Sequence, residues 1–189
     1  MDKKRCSWVP LNKPNYVQYH DEEWGVPVYD DQKLFELLIL EGAQAGLSWE
    51  TVLNKRESYR TAFHKFDPTV CAGMSDTALE ALTHHDGIIR NRLKIFSVRR
   101  NAITYLQIQK EFGTFSEYIW SFVEGKPIIN TWTHVAQAPA STPLSDRISK
   151  DLKKRGMSFV GSTIIYAFMQ AVGLVNDHTT DCFRYQQCT

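Results

Sequence analysis

The chain has little of several things, and each shortage excludes a class of protein. Its 189 residues hold four cysteines, Cys6, Cys71, Cys182 and Cys188, too few for the disulfide frameworks that staple small secreted domains. Basic and acidic residues nearly cancel, 22 against 21, so the chain as a whole is no electrostatic sponge for nucleic acid. The longest apolar stretch, Ile164 to Val175, is broken by Gln170 and falls short of the roughly 20 residues a membrane span requires. The charged start Met1-Asp2-Lys3-Lys4-Arg5 has no apolar run behind it, which argues against a secretory signal. These features together point to a reducing, cytoplasmic setting. No segment alternates apolar and polar residues long enough to argue for a sheet, whereas helical spacing recurs throughout, so the expected class is all-α.

What is present is a hydrophobic content of 43%, enough for one good core over 1–189, with a hairpin at about 144–173 marking a second helical lobe. Asp31 is expected to cap a helix through Leu34, Phe35, Leu37, Leu38, Ile39 and Leu40, apolar on nearly every side and ending at Glu41-Gly42. Ser48 caps a second, with Trp49, Val52, Leu53, Tyr59 and Phe63 on one face until Asp67-Pro68 stops it. Ser75 opens a short helix. Gly87 precedes a long one whose apolar face reads Leu93, Phe96, Ile103 and Leu106, and another runs from Phe115 to Val123. Residues 125–143, with three prolines, read as a loop. Helices then run from Leu144 to Arg155 and from Ser162 to about Val172, joined by Gly156-Met157-Ser158-Phe159-Val160-Gly161.

Three constellations carry chemistry. Cys6 and His20 near the start, and His178 and Cys182 near the end, are ligand types for zinc. If all four meet, they make a closed tetrahedral site of the structural kind, clasping the termini together. The spacing matches no zinc-finger template, and lone cysteines are commonly small buried hydrophobes. Cys188 stands in reserve for Cys182, in a tail expected to fray.

Second, Glu41 closes an apolar helix, and a buried carboxylate is costly unless it faces donors or a cation. Around it in sequence stand Tyr16, Tyr19, Trp24 and Trp49, beside the loop Gly42-Ala43-Gln44-Ala45-Gly46. Aromatic faces attract cations and stack on flat rings, so this set suits a planar cationic heterocycle; an aromatic core with an ion-paired Glu is the competing reading. Third, the turn bracketed by Gly156 and Gly161, with Lys153, Lys154 and Arg155 before it and the helix N-terminus at Ser162 after it, offers a phosphate site. An ordinary helix–helix turn with a glycine cap would look the same. A second basic cluster, Arg90, Arg92, Lys94, Arg99 and Arg100, reads as a solvated helix face.

The segments Tyr19-His20-Asp21-Glu22-Glu23-Trp24-Gly25-Val26-Pro27 and Leu40-Glu41-Gly42-Ala43-Gln44-Ala45-Gly46-Leu47-Ser48-Trp49 closely resemble the bacterial 3-methyladenine DNA glycosylase I family. So do Lys153 to Ile164 and Gly173-Leu174-Val175-Asn176-Asp177-His178, and the likeness runs from Cys6 to Cys182. It implies an all-α fold of the helix-hairpin-helix superfamily, a monomer acting on alkylated double-stranded DNA, and one structural zinc on Cys6, His20, His178 and Cys182. It also implies a pocket for the 3-methyladenine base built by Glu41, Tyr16, Tyr19 and Trp49, with Trp8 and Trp24 as supporting walls. Many relatives in that superfamily carry a catalytic aspartate where this chain has Asn176, and Asp177 is then expected to support a metal ligand. No lysine is placed for a Schiff base, so a monofunctional glycosylase without strand cleavage follows. Gly46-Leu47 is a candidate wedge for the gap left by an extruded base, or else Leu47 anchors its loop. Asn176 keeps open a non-catalytic DNA-binding or damage-sensing protein; a zinc hydrolase is disfavoured because four protein ligands leave no position for water.

Overall fold

The structure, a computed structural model, describes residues 3–188. It is built of helices: α1 (Pro14–Glu22), α2 (Asp31–Gln44), α3 (Trp49–Ala62), α4 (Pro68–Ala72), α5 (Asp76–Leu82), α6 (Arg92–Phe112), α7 (Phe115–Ser121), α8 (Pro143–Arg155) and α9 (Ser162–Ala171). The expected helical class stands. Two strands of two residues each, β1 (Ile128–Ile129) and β2 (Val175–Asn176), pair in parallel with Ile128 opposite Val175. Among the described residues no helix is long and apolar enough to cross a membrane.

The core is organised around α2, which is buried from Leu34 to Ala43 because it is apolar on all sides. Helices α3, α6, α7 and α9 pack around it, and each fully buried leucine of α2 contributes about 1.5 to 3 kcal/mol. The cap differs from expectation: Asp30, not Asp31, accepts from the Lys33 amide at 2.7 Å. Asp31 instead accepts from the Phe115 and Ser116 amides, each at 2.8 Å, placing its charge at the N-terminus of α7. The far end also differs. The helix continues past Glu41-Gly42 to Gln44, which puts Glu41 inside its last turns with the rigidity of a helix.

Ser48 and Ser75 cap α3 and α5 as expected, accepting from the Thr51 and Ala78 amides. Helix α3 stops at Ala62, however, with Phe63 as its C-cap, and Pro68 opens α4 rather than merely ending a helix. Helix α1 was not legible, since Lys13 gives no side-chain cap, although Pro14 at its first position was a signal. The apolar face of α6 is a correction. Ile95, Val98, Ala102, Tyr105 and Ile108 are buried, while Leu93 is 71% and Ile103 44% exposed. Polar Ser97, Asn101 and Thr104 share the buried face, which disguised the period.

Candidate base pocket and metal centre

Segments from both halves of the chain deliver one cavity of ≈ 300 Å³. The N-terminal segment and α1 bring Trp8, Tyr16 and Tyr19; α2 brings Glu41 and Gln44; α3 brings Trp49 at its first turn; and Trp24 follows α1. The sequence thus anticipated six of its walls. Gln44 was missed, and so was the lining by Val135, Ala138, Ala167, Gln170 and Asp177. It comes from the proline-bearing segment 125–143 and from α9 and its exit, positions that carry no local sign of facing a ligand.

Glu41 is 4% exposed, and its Oε2 has no hydrogen-bond partner among the described residues. Burial pushes the carboxyl up to about 8. Trp49 Nε1 is a second buried atom without a partner, so an acceptor and a donor both await a guest. The aromatic rings are tightly set: Tyr19 and Trp49 lie 5.2 Å apart, Trp8 and Tyr16 5.8 Å, Trp8 and Trp24 4.9 Å. Burial, then the nearby Glu50 and Glu41 charges, raise the Tyr16 phenol, keeping it a neutral donor.

Asp177 is buried too, but its oxygens are fully engaged. Oδ1 accepts from Asn130 Nδ2 at 2.6 Å and Trp132 Nε1 at 2.8 Å; Oδ2 accepts from the Tyr166 hydroxyl and Gln170 Nε2, each at 2.7 Å. It ties segment 125–143 to α9 and does not support a histidine, contrary to expectation. Asn176 donates to the Tyr185 carbonyl at 2.9 Å and is not among the cavity's walls.

Cys6, His20, His178 and Cys182 do come together, all buried, with their ligand atoms within 4.8 Å of one another. Cys6 Sγ lies 3.5 Å from His178 Nδ1, and Cys182 Sγ lies 3.5 Å from His20 Nε2 and 3.6 Å from His178 Nδ1. Donors 2.0–2.3 Å from a tetrahedral zinc stand about 3.5 Å apart, so the set fits that ion. The outward nitrogens are fixed as metal-bound imidazoles require: His20 Nδ1 meets Asp21 Oδ1 at 2.8 Å, and His178 Nε2 meets the Trp24 carbonyl at 3.1 Å. Arg5 in turn holds Asp21 at 2.6 Å. The supporting carboxylate is therefore Asp21 rather than Asp177. Gly25, at φ +78°, is required here, because a Cβ would stand 2.9 Å from His178 Nε2. Cys188 is buried in a 3-10 turn rather than frayed, and lies outside the cluster.

The candidate phosphate site has a mixed outcome. Lys153 and Lys154 are exposed, and the turn from Gly156 to Gly161 leads into α9 as expected, with no side chain capping that helix. Arg155 is instead spent on Glu111 at 2.6 Å and Asp151 at 2.7 Å. Leu47 is 44% exposed, and Gly46 has φ +76° with open space around it, so the reading of Leu47 as a buried anchor falls.

The fold is thus helical, with a closed four-donor cluster beside an aromatic cavity in which one Glu41 oxygen is buried without a partner among the described residues. The family model described as methyladenine glycosylase matches residues 8–185, and the chain belongs to that family. DNA-3-methyladenine glycosylase 1 of Escherichia coli (strain K12) is 52% identical over 182 residues, spanning 96% of this chain and 97% of that one. A crystal structure of 3-methyladenine DNA glycosylase I superposes with a TM-score of 0.92 at 52% identity, covering 95% of this chain and 98% of the other. The Staphylococcus aureus enzyme, solved for the structural basis of its 3-methyladenine recognition, gives 0.92 at 37% identity with 95% of each chain covered.

Proposed function

We propose that this protein is a DNA-3-methyladenine glycosylase of type I, hydrolysing the N-glycosidic bond of 3-methyladenine in alkylated double-stranded DNA and releasing the free base. The observation that carries the reading is Glu41 Oε2, buried without a partner among aromatic faces. A base methylated at N3 is cationic and leaves the sugar as a neutral molecule, so it needs little general-acid help. The protein's tasks are then to take the nucleotide out of the stack, hold the cation and admit water. Glu41 accepts from the donor edge of the base and ionises as the cation enters; Trp49, Tyr16 and Tyr19 stack on or bond the ring, with Trp8 and Trp24 behind them. Among the described residues no lysine lines the cavity, which supports a monofunctional enzyme that leaves the strand intact.

The helix pair α8 and α9 serves as the helix-hairpin-helix element of a single glycosylase domain. Lys153, Lys154 and the amides at the start of α9, Gly161 and Ser162, meet phosphates, Gly156 closes α8 where the turn begins, Arg155 shapes the hairpin from within, and Gly46-Leu47 fills the gap left by the base. Zinc on Cys6, His20, His178 and Cys182 joins the two ends of the chain, and as a closed site it supplies structure rather than a reactive water.

Incubating methylated duplex DNA with the protein should release free 3-methyladenine, detected by chromatography, and leave abasic but uncut strands. Glu41→Gln should lower release by about 10- to 100-fold with the fold retained. A wild-type rate in that variant would move recognition away from Glu41, and no release by the intact protein would favour a damage-sensing role.

A further inference from the structure

Helix α6 holds both the pocket end of α2 and the turn between α8 and α9. Lys94 Nζ donates to the Ala43 carbonyl at 2.9 Å and to the Ala45 carbonyl at 2.6 Å. A helix end leaves such carbonyls without intrahelical partners, and a cation suits the negative end of its dipole. The neighbouring Gly42 and Gln44 carbonyls take the Ala45 and Leu47 amides. The end of α2 is thus closed by local turns and one lysine from another helix.

Seven residues further along α6, Asn101 grips Ser158 by both backbone groups. Its Nδ2 donates to the Ser158 carbonyl at 2.9 Å, and its Oδ1 accepts from the Ser158 amide at 2.9 Å. Seven residues are close to two helical turns, so both side chains leave one face of α6, about 10 Å apart along its axis. Between them the packing is dense. A gap of only ≈ 10 Å³ is bordered by Lys94, Asn101, Gly42 and Phe159, and a Cβ on Gly42 would come within 3.1 Å of the Phe159 carbonyl oxygen. Phe159 itself sits at φ 56°, a conformation that a bulky side chain keeps only where its surroundings enforce it.

We infer that Lys94 and Asn101 are positioning residues, and that α6 is a bracket setting the distance between the α8–α9 turn and the end of α2 that bears Glu41 and the Gly46-Leu47 loop. This rests on the reading of that turn as the DNA contact. A duplex held by its phosphates at the turn then delivers an extruded nucleotide in register with the cavity. Neither residue needs to touch the base or the sugar. Their effect lies in the geometry of a bound complex, where displacements of about 1 Å cost on the order of 100-fold in rate.

The test uses the full-length protein carrying Lys94→Met, Asn101→Ala, or both. Three quantities are read: affinity for free 3-methyladenine by tryptophan fluorescence, affinity for undamaged duplex, and the single-turnover excision rate from methylated duplex. Each single variant should excise about tenfold more slowly or worse, with both affinities within about twofold of wild type. The double variant should be no slower than the slower single one, because opening either end opens the same bracket. Lys94→Arg, which keeps a donor at the carbonyls, should recover most of the rate. Should Asn101→Ala fail to fold, Asn101→Asp keeps the acceptor for the Ser158 amide and is read in the same way.

Excision at the wild-type rate in both single variants would overturn the inference. So would a parallel loss of free-base affinity, which marks a collapsed pocket, or a double variant whose losses multiply. A separate arm isolates the underlying reading: if neutralising Lys153 and Lys154 together leaves duplex affinity unchanged, the turn is not the DNA contact, whatever the α6 variants do.

Discussion

Cys6 Sγ lies 3.5 Å from His178 Nδ1 although 172 positions separate the two residues in the chain. The aromatic rings beside this junction also face the base cavity: Trp24 packs 4.7 Å from the His178 ring and Trp8 5.2 Å from the His20 ring. The Cys/His cluster and the pocket therefore share a wall. Loosening the cluster must loosen Trp8 and Trp24, even though no metal-bound atom needs to take part in the reaction.

Elemental analysis should find one zinc per chain, lost in Cys182→Ala and retained in Cys188→Ala. Removing the ion by chelation should lower the melting temperature by about 10 °C or more, since a structural zinc supplies several kcal/mol and each is worth roughly 2–4 °C in a chain of this size. A zinc-free protein that melts at the same temperature would refute the clasp.

Glu41 makes the pH behaviour specific. Burial raises its carboxyl from 4.5 to about 8, so in that range the folded protein keeps a proton that the unfolded chain has given up. This contribution to stability is fully present below about pH 4.5 and is lost as the pH rises through about 8. Thermal melts from pH 5 to 9 should therefore fall more steeply for the wild type than for Glu41→Gln, and parallel curves would contradict the assignment. Because a cationic base meets the ionised form, affinity for methylated duplex should climb by up to about tenfold per pH unit until it levels near 8, and stay flat in the variant.

The basic residues before the turn divide by their partners. Replacing Lys153 and Lys154 by glutamine should reduce the salt dependence of duplex binding by a slope of about 1.8. Arg155→Gln should scarcely move that slope and should instead lower the melting temperature by roughly 2–4 °C, because Arg155 bridges Asp151 and Glu111. Equal slope changes in the two variants would show that Arg155 leaves those carboxylates for DNA.

Much of the site was legible for a local reason. Glu41, Trp49 and the tyrosines of α1 are residue types whose chemistry is narrow, and they crowd into one short stretch of chain. Lys94, Asn101 and Asp177 were not legible, because what matters in each is a partner far away in sequence: the Ala43 carbonyl, the Ser158 backbone, and the side chains of Asn130 and Trp132. The misread face of α6 has the same origin. Leu93 looks like core by its type, yet the helix turns Ser97, Asn101 and Thr104 inward to bond other segments.

Composition and short-range patterning were enough for the helical class, for most helix starts, for the four candidate metal donors and for the chemistry expected at Glu41. Those properties depend on intrinsic propensities, caps and side-chain type, all of which act within a few residues. The packed fold alone decided which carboxylate supports the histidines, that Arg155 is spent inside the protein, that Asp177 faces the cavity with its oxygens engaged, and that α6 spans from the pocket to the turn. These are distances between remote segments, and a distance becomes defined only once burial of α2 has drawn those segments together.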